Sequence, residues 1–276
     1  MAEIQPFTGV LYNTARVNPA DVLTQPYDKI TAEMREGYLA RSPYNLVQIE
    51  LGKEQPGDNE SANKYTRAAA LYRQWLKDDI LRRADKPALY FLEQLFQGKI
   101  RRGLIAAVKL HRWDEGVIMP HEHTLSKPKA DRMSLLKAVG AQQGQIFMLH
   151  PEPLPAFHLG KPVYELVDDY NVTNKVYPIT DPATIQSIQA SILPQKLYIA
   201  DGHHRYETAL AFRDEAGTPA SRYVMATIVD MNDPGLVVLP THRTISHLAG
   251  FDGGAFLAKL ARQFEITQQP KLQLAP

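Results

Sequence analysis

A chain of 276 residues with 44% hydrophobic content and a formal net charge of +1 has apolar mass for a sizeable core and lacks the basic excess of a general nucleic-acid binder. The absence of cysteine excludes disulfides, thiolate nucleophiles and cysteine-based metal sites, and fits a reducing cytosol. Residues 1–7 have no basic n-region or apolar h-region, and the longest apolar runs (104–108 and 223–229) are too short to span a bilayer, so a cytoplasmic protein without a membrane partner is expected.

Residues 5–16 read as an extended lead-in. Gln25-Pro26-Tyr27-Asp28 reads as a turn, and Thr31 caps a helix over 32–41 that Ser42-Pro43-Tyr44-Asn45 stops. Residues 46–51 alternate as a strand, and 52–60, polar with Pro and Gly, form an exposed loop. Helical spacing through Tyr65, Ala69, Tyr72 and Leu76 spans 61–80. Residues 88–96 and 99–110 predict a hairpin around Gln97-Gly98. A short extended piece at 116–120, a helix over 131–140 and a strand over 145–150 follow. Residues 151–162 hold four Pro and read as a linker or a surface excursion. Then come two strands within 163–178, a helix over 182–193, a strand over 197–200, a helix over 206–212, strands over 222–230 and 236–240, and a helix over 254–264. There is no internal repeat or low-complexity tract. This alternation predicts an α/β fold of mixed strands and helices, a mixed sheet with flanking helices, and the 197–200 strand at its centre. One domain is expected over residues 1–250, with the start of a truncated C-terminal segment over 251–276.

The most informative stretch joins the strand at 197–200 to the helix after it, through Asp201-Gly202-His203-His204-Arg205. A strand that turns through Gly into a helix leaves backbone N–H groups unpaired at the helix start, where the dipole favours an anion. Arg205 adds a fork that matches phosphate or carboxylate, and the two His add donors or a base. The blander reading is a plain helix-start turn.

Two further segments, Pro120-His121-Glu122-His123-Thr124 and Pro240-Thr241-His242-Arg243, also follow apolar extended stretches, and the three together hold five of the nine His. Strand ends of an α/β sheet are common ligand sites, so His121, His203 or His204, and His242 are expected in one cleft with Asp28. His121 and His123 could share one side of a strand as metal ligands, though a hydrogen-bonded loop is the alternative. Tyr27 and Asp28 could equally be a helix-starting turn, and Thr241, His242 and Arg243 a strand cap. Ser126-Lys127-Pro128-Lys129 with Asp131 and Arg132 reads as a basic loop over an anion or, more usually, a solvated helix entrance.

With these residues in place, the chain resembles the bacterial and archaeal family known as domain of unknown function 1015. The matching segments are Ile4-Gln-Pro-Phe7, Gln25-Pro-Tyr-Asp28, Ser42-Pro-Tyr-Asn45, Lys64-Tyr65 to Trp75, Arg101-Arg-Gly103, Pro120-His-Glu-His-Thr124 with Lys127-Pro128 and Asp131-Arg132, Ile199-Ala-Asp-Gly-His-His-Arg-Tyr206, and Asp233-Pro-Gly-Leu236 to Pro240-Thr-His-Arg243. The family usually reads His-Glu-Arg-Thr where His123 stands here, which weakens a cation at that position. Members tend to run beyond this length, which agrees with a truncated end. Over about a dozen residues the Gly-x-His-Arg core is also similar to that of the ParB/sulfiredoxin superfamily, which includes free-serine kinases. That likeness implies that Gly202, His204 and Arg205, with Asp201 beside them, grip nucleotide phosphates.

The resulting expectation is a nucleotide-binding enzyme, a kinase-like transferase acting on a small hydroxyl-bearing metabolite with ATP or ADP and Mg²⁺. Gly202, His203, His204 and Arg205 would hold phosphate, Asp28 or Glu122 would act on the hydroxyl, and Asp201 would help hold Mg²⁺. Tyr27, His121, Thr241, His242 and Arg243 would contact the substrate or support the site. Two alternatives stand: a metal-dependent phosphohydrolase using His121, His123, His203 and His242, and a non-catalytic nucleotide- or effector-binding regulatory module.

Overall fold

The computed structural model describes residues 1–122, 126–238 and 248–267, with the side chains of 126–128 left out. The lead-in holds β1 (Ile4–Gln5) and β2 (Val10–Tyr12). Asn18 caps α1 (Pro19–Val22), Tyr27–Lys29 forms one 3-10 turn, and Thr31 Oγ1 accepts the Met34 N–H at 3.2 Å to start α2 (Ala32–Arg41).

Where a strand is expected over 46–51, the chain forms a one-turn helix instead, α3 (Val47–Glu50). The cause is Asn45, which is fully buried. Its Oδ1 accepts the Val47 N–H at 3.0 Å and its Nδ2 donates to the Asp21 carbonyl at 2.8 Å. That side chain offers the backbone a helix-starting turn, which overrides the alternation of Val47 and Ile49. Beyond the exposed loop, Asn63 and Thr66 form a reciprocal capping box at the head of α4 (Lys64–Lys77).

β3 (Leu81–Arg83) pairs with β2. The hairpin of β4 (Leu89–Phe96) and β5 (Lys99–Lys109) turns through Gln97 and Gly98, both at positive φ, the geometry that matches strand twist. Then follow β6 (Ile118–Met119), α5 (Ser126–Val139), β7 (Ile146–His150), β8 (Tyr164–Val167), β9 (Thr173–Ile179), α6 (Pro182–Ile192), β10 (Leu197–Asp201), α7 (His203–Ala216) and β11 (Tyr223–Asp230). No strand is found at 236–238, and positions 239 and 240 lie outside the described residues.

Among the described residues nine strands form one mixed sheet, in the order β6-β10-β7-β11-β5-β4-β9-β8, with β1 beside the end of β5. This is the α/β class expected. β10 is not central, however. It lies next to the edge, covered by the two-residue β6, because the long antiparallel β4–β5–β11 ladders take the middle. Leu197 and Ile199 are buried even so, and they join Leu104, Ala106, Ile146, Met148 and Ile228 in the main core, with Ile188 and Ile192 of α6 packed among them. Leu154, Phe157 and Leu159 pack on this core, so the proline-rich stretch is a covering segment and not a linker. Tyr206 of α7 is fully buried, stacks on Trp113, and its hydroxyl accepts the His111 N–H and donates to the His111 carbonyl, both at 2.9 Å. A second cluster unites Ile49, Ala68, Trp75 and Leu135 of α3, α4 and α5.

The chain divides into two compact units, Met1–Leu236 and Val237–Pro276. In the second, α8 (Gly253–Leu260) is capped by Asp252, whose Oδ1 accepts the Gly254 and Ala255 N–H groups at 2.8 and 3.1 Å. No helix among the described residues is long and apolar enough to cross a membrane.

Candidate functional site

β6 and β10 run parallel, with Ile118 opposite Leu197 and Met119 opposite Tyr198. Both strands therefore deliver the residues after them to the same edge of the sheet, which brings Pro120-His121-Glu122 beside Asp201-Gly202-His203. β10 is bulged between Ile199 and Asp201 against β7, which re-aims Asp201 at the strand end. Gly202 then turns the chain with φ 94°, a conformation costly for residues with a Cβ. The turn is complete in one residue, so α7 begins at His203, three positions before the sequence pattern suggests. A Cβ on Gly202 would also stand 3.2 Å from the Arg205 guanidinium, which packs on the bare Cα. No side chain caps the start of α7, and α7 is 14 residues long.

His121 and His203 meet edge to face with ring centroids 4.6 Å apart. The His121 backbone N–H donates to His203 Nε2 at 3.2 Å, so the neutral His203 ring carries its proton on Nδ1, the atom 3.8 Å from Glu122 Oε2. His121 Nδ1 is 2.7 Å from the Ile199 carbonyl. A carbonyl can only accept, so Nδ1 donates, and neutral His121 presents an unprotonated Nε2. A backbone carbonyl thus fixes the tautomer of an exposed imidazole, a common device for aiming a base or a ligand.

Burial, and secondarily the nearby His121, push the His203 ring below its ordinary value of 6.5. Burial does the same to His150. Below about pH 6.5 the unfolded chain binds protons that these folded rings resist. Stability is therefore full above that value and falls as pH drops toward the lowered folded values. Urea midpoints are expected to decline between about pH 7 and pH 5, and the decline should be shallower in His203→Gln. An identical slope in that variant would contradict a buried neutral ring.

Behind the helix start lies an ionic network. Arg205 Nη2 donates to Asp201 Oδ2 at 2.6 Å, and Nη1 donates to the Gln145 carbonyl. The fork expected to face a ligand is thus held by protein groups, and its side chain is only 13% exposed. On the inner side stands Glu50, buried on α3. Its Oε1 accepts from Arg132 Nη1 at 2.9 Å and its backbone carbonyl accepts from Nη2 at 3.1 Å, while Oε2 has no partner among the described residues. Burial raises the Glu50 carboxyl even though Arg132 and Arg205 both favour its charge. The Tyr27 ring lies over the Arg132 guanidinium at 4.1 Å. Asp131 takes the Tyr65 hydroxyl at 2.9 Å and Lys64 Nζ at 3.0 Å. Burial works to raise its carboxyl, but the bonds from Arg132, Lys64 and Tyr65 outweigh it and hold the group low. The cavity among Glu50, Arg132, Gln143 and Arg205 measures about 50 Å³, far below the roughly 300–1,000 Å³ of ligand pockets.

His121, Glu122, Asp201, Gly202, His203, His204 and Arg205 thus share one edge of the sheet. Tyr27 joins the same region through Arg132, but Asp28 is exposed, and among the described residues no hydrogen bond or ion pair joins it to His121 or His203. Thr241, His242 and Arg243 lie outside the described residues, as does His123. Among the described residues no group of three or more metal-binding side chains gathers. The basic stretch does form a helix entrance, the first two turns of α5, but not a solvated one throughout: Lys129 Nζ bonds Glu207 Oε2 at 2.8 Å and Arg132 is buried. Sequence reasoning missed Glu50, assigned to a strand, and gave Tyr65 no role at the site, naming it only in a helical row and in a family-matching segment. Three segments singled out in the sequence, around Tyr27, Asp131 and Asp201, end in this network, and Asn45 starts the helix that carries Glu50.

A family model described as protein of unknown function (DUF1015) matches residues 4–275. No curated protein matches the chain. No solved structure matches it.

Proposed function

We propose, starting from a chain that belongs to the DUF1015 family, that this protein is a nucleotide-dependent phosphotransferase acting on a small hydroxyl-bearing metabolite. The observation that carries the reading is the uncapped start of α7 at left-handed Gly202, placed beside an imidazole whose tautomer a backbone carbonyl fixes. The first-turn N–H groups and the helix dipole supply a seat for phosphate without any side chain. His121 Nε2 is positioned to accept a proton from an attacking hydroxyl or to donate to a phosphate oxygen, according to its protonation. Arg205, in this reading, acts by holding Asp201 and the helix start in place, not by forking to the ligand.

The donor set fits Mg²⁺. Asp201 and Glu122, with side chains 48% and 62% exposed, both act electrostatically on His203. Mg²⁺ is commonly held through one or two carboxylates, phosphate oxygens and waters, and when bound it neutralises phosphate charge. A ParB/sulfiredoxin-like core, with kinship to free-serine kinases, is part of the same proposal. It rests on the strand–Gly202-x-His204-Arg205–helix junction.

The test is calorimetry with ATP and ADP with and without Mg²⁺, followed by product detection over a panel of hydroxyl-bearing amino acids and sugars. Parent protein is expected to bind nucleotide and to turn over at least one acceptor. His121→Gln keeps a donor near Ile199 but has no base, and should lower turnover by roughly 10²–10⁴-fold with stability within about 0.5 kcal/mol. Failure of the parent to bind either nucleotide would end the proposal. Binding without turnover would leave a regulatory module, and tightly bound zinc or manganese with phosphatase activity would point to the hydrolase.

A further inference from the structure

A second cavity, of about 420 Å³, lies at the opposite end of the sheet from the α7 start. β7 runs antiparallel to β10, so His150 at the end of β7 sits near the beginning of β10, far from Asp201. β11 runs parallel to β7, with Asp230 in register with His150. The two side chains border one chamber, whose apolar wall includes Phe91, Leu154, Phe157 and Ile228. Phe91 and Phe157 meet edge to face at 5.1 Å. Its volume falls within the roughly 300–1,000 Å³ common for small-molecule sites.

The polar groups of the chamber are not equally satisfied. Arg102 Nε bonds Glu93 Oε1 at 3.2 Å, which answers its charge. Asp233 accepts the Arg102 backbone N–H at 3.0 Å and the Gly235 N–H at 2.7 Å, one on each oxygen, as the carboxylate of a tight turn. Asp230 Oδ1 accepts the Asn232 N–H at 2.8 Å, but no group among the described residues bonds its second oxygen. His150 is 1% exposed, and its ring interacts with the Gln195 side chain and the Glu152 backbone. The chamber therefore offers one uncompensated carboxylate and an aromatic and aliphatic wall.

We propose that this chamber binds a protonated amine that carries an apolar ring or branched chain. The ammonium group sits on the open oxygen of Asp230, close enough for the body of the ligand to lie against Phe91 and Phe157, with His150 bordering the same chamber. Glu93, Asp230 and Asp233 outnumber Arg102, so the chamber repels anions. It is thus chemically opposite to the phosphate seat at the other end of the sheet and separate from it.

The probe is phenethylamine, with phenylacetate as the anionic counterpart of similar shape, titrated into the full chain at neutral pH. Phenethylamine should raise the melting temperature in a saturable way and move the His150 ring-nitrogen resonances, while phenylacetate does neither. Asp230→Asn keeps the acceptor for the Asn232 N–H, so the turn should survive. It should weaken phenethylamine binding by about tenfold or more. Phe157→Ala, a change in the wall alone, should weaken it as well. Equal binding of phenylacetate, unmoved His150 resonances at saturating phenethylamine, or parent-like affinity in Asp230→Asn would each overturn the assignment.

Discussion

Glu50→Ala is expected to cost roughly 1–3 kcal/mol of folding stability, the usual penalty for leaving a buried donor without its acceptor. The residue is 7% exposed and its partner Arg132 is 8% exposed, so Nη1 loses its acceptor without gaining water, while Asp131 still pairs the guanidinium from its other side. Tyr27 would remain over a charge with one fewer anion beneath it, and Arg205 would lose a favourable neighbour. Glu50→Gln keeps the volume and an acceptor for Arg132 and removes a charge that burial already disfavours, so it should be clearly milder. Urea unfolding of parent and both variants measures this. An alanine variant whose loss falls below that range would show that the network does not hold α3 to α5.

The second large effect is expected at Arg205. The sequence suggests a ligand-facing fork whose loss leaves apo stability untouched. The geometry requires the reverse, because the guanidinium bonds Asp201 and the Gln145 carbonyl and packs on Gly202. Arg205→Ala should cost roughly 1–3 kcal/mol without ligand, mostly from the unpaired carbonyl. The Asp201 pair adds little, since Asp201 is half exposed and screened by water. Arg205→Lys keeps charge but cannot serve both acceptors in fork geometry, so it should fall between. Melting temperatures with and without ATP separate the two roles. Unchanged apo melting in Arg205→Ala, together with a lost nucleotide shift, would restore Arg205 as a direct ligand.

Much of the fold was legible because its signals are local. The Thr31 cap, the Gln97-Gly98 turn and the buried run into β10 act within a few residues of the feature they specify. The place of β10 beside the edge was not legible, because strand order depends on pairings between segments far apart in the chain. Nor was α3: alternating Val47 and Ile49 satisfies a strand, and only the burial of Asn45 against the Asp21 carbonyl decides otherwise. That misassignment hid Glu50, since a strand would turn it away from Ile49. The His121–His203 meeting was foreseeable as strand-end chemistry. The roles of the two rings were not, since tautomers follow from backbone groups such as Ile199 O that no residue pattern announces.

The two-residue length of β6 also bears on solubility. An open sheet margin presents free backbone groups to which a strand from another molecule can add. Here the margin beside β10 is only Ile118 and Met119, and Pro120 follows with no N–H to offer. The next donor, the His121 amide, is turned inward onto His203. The segment that aims an imidazole at the α7 start therefore also blunts this border of the sheet against intermolecular pairing.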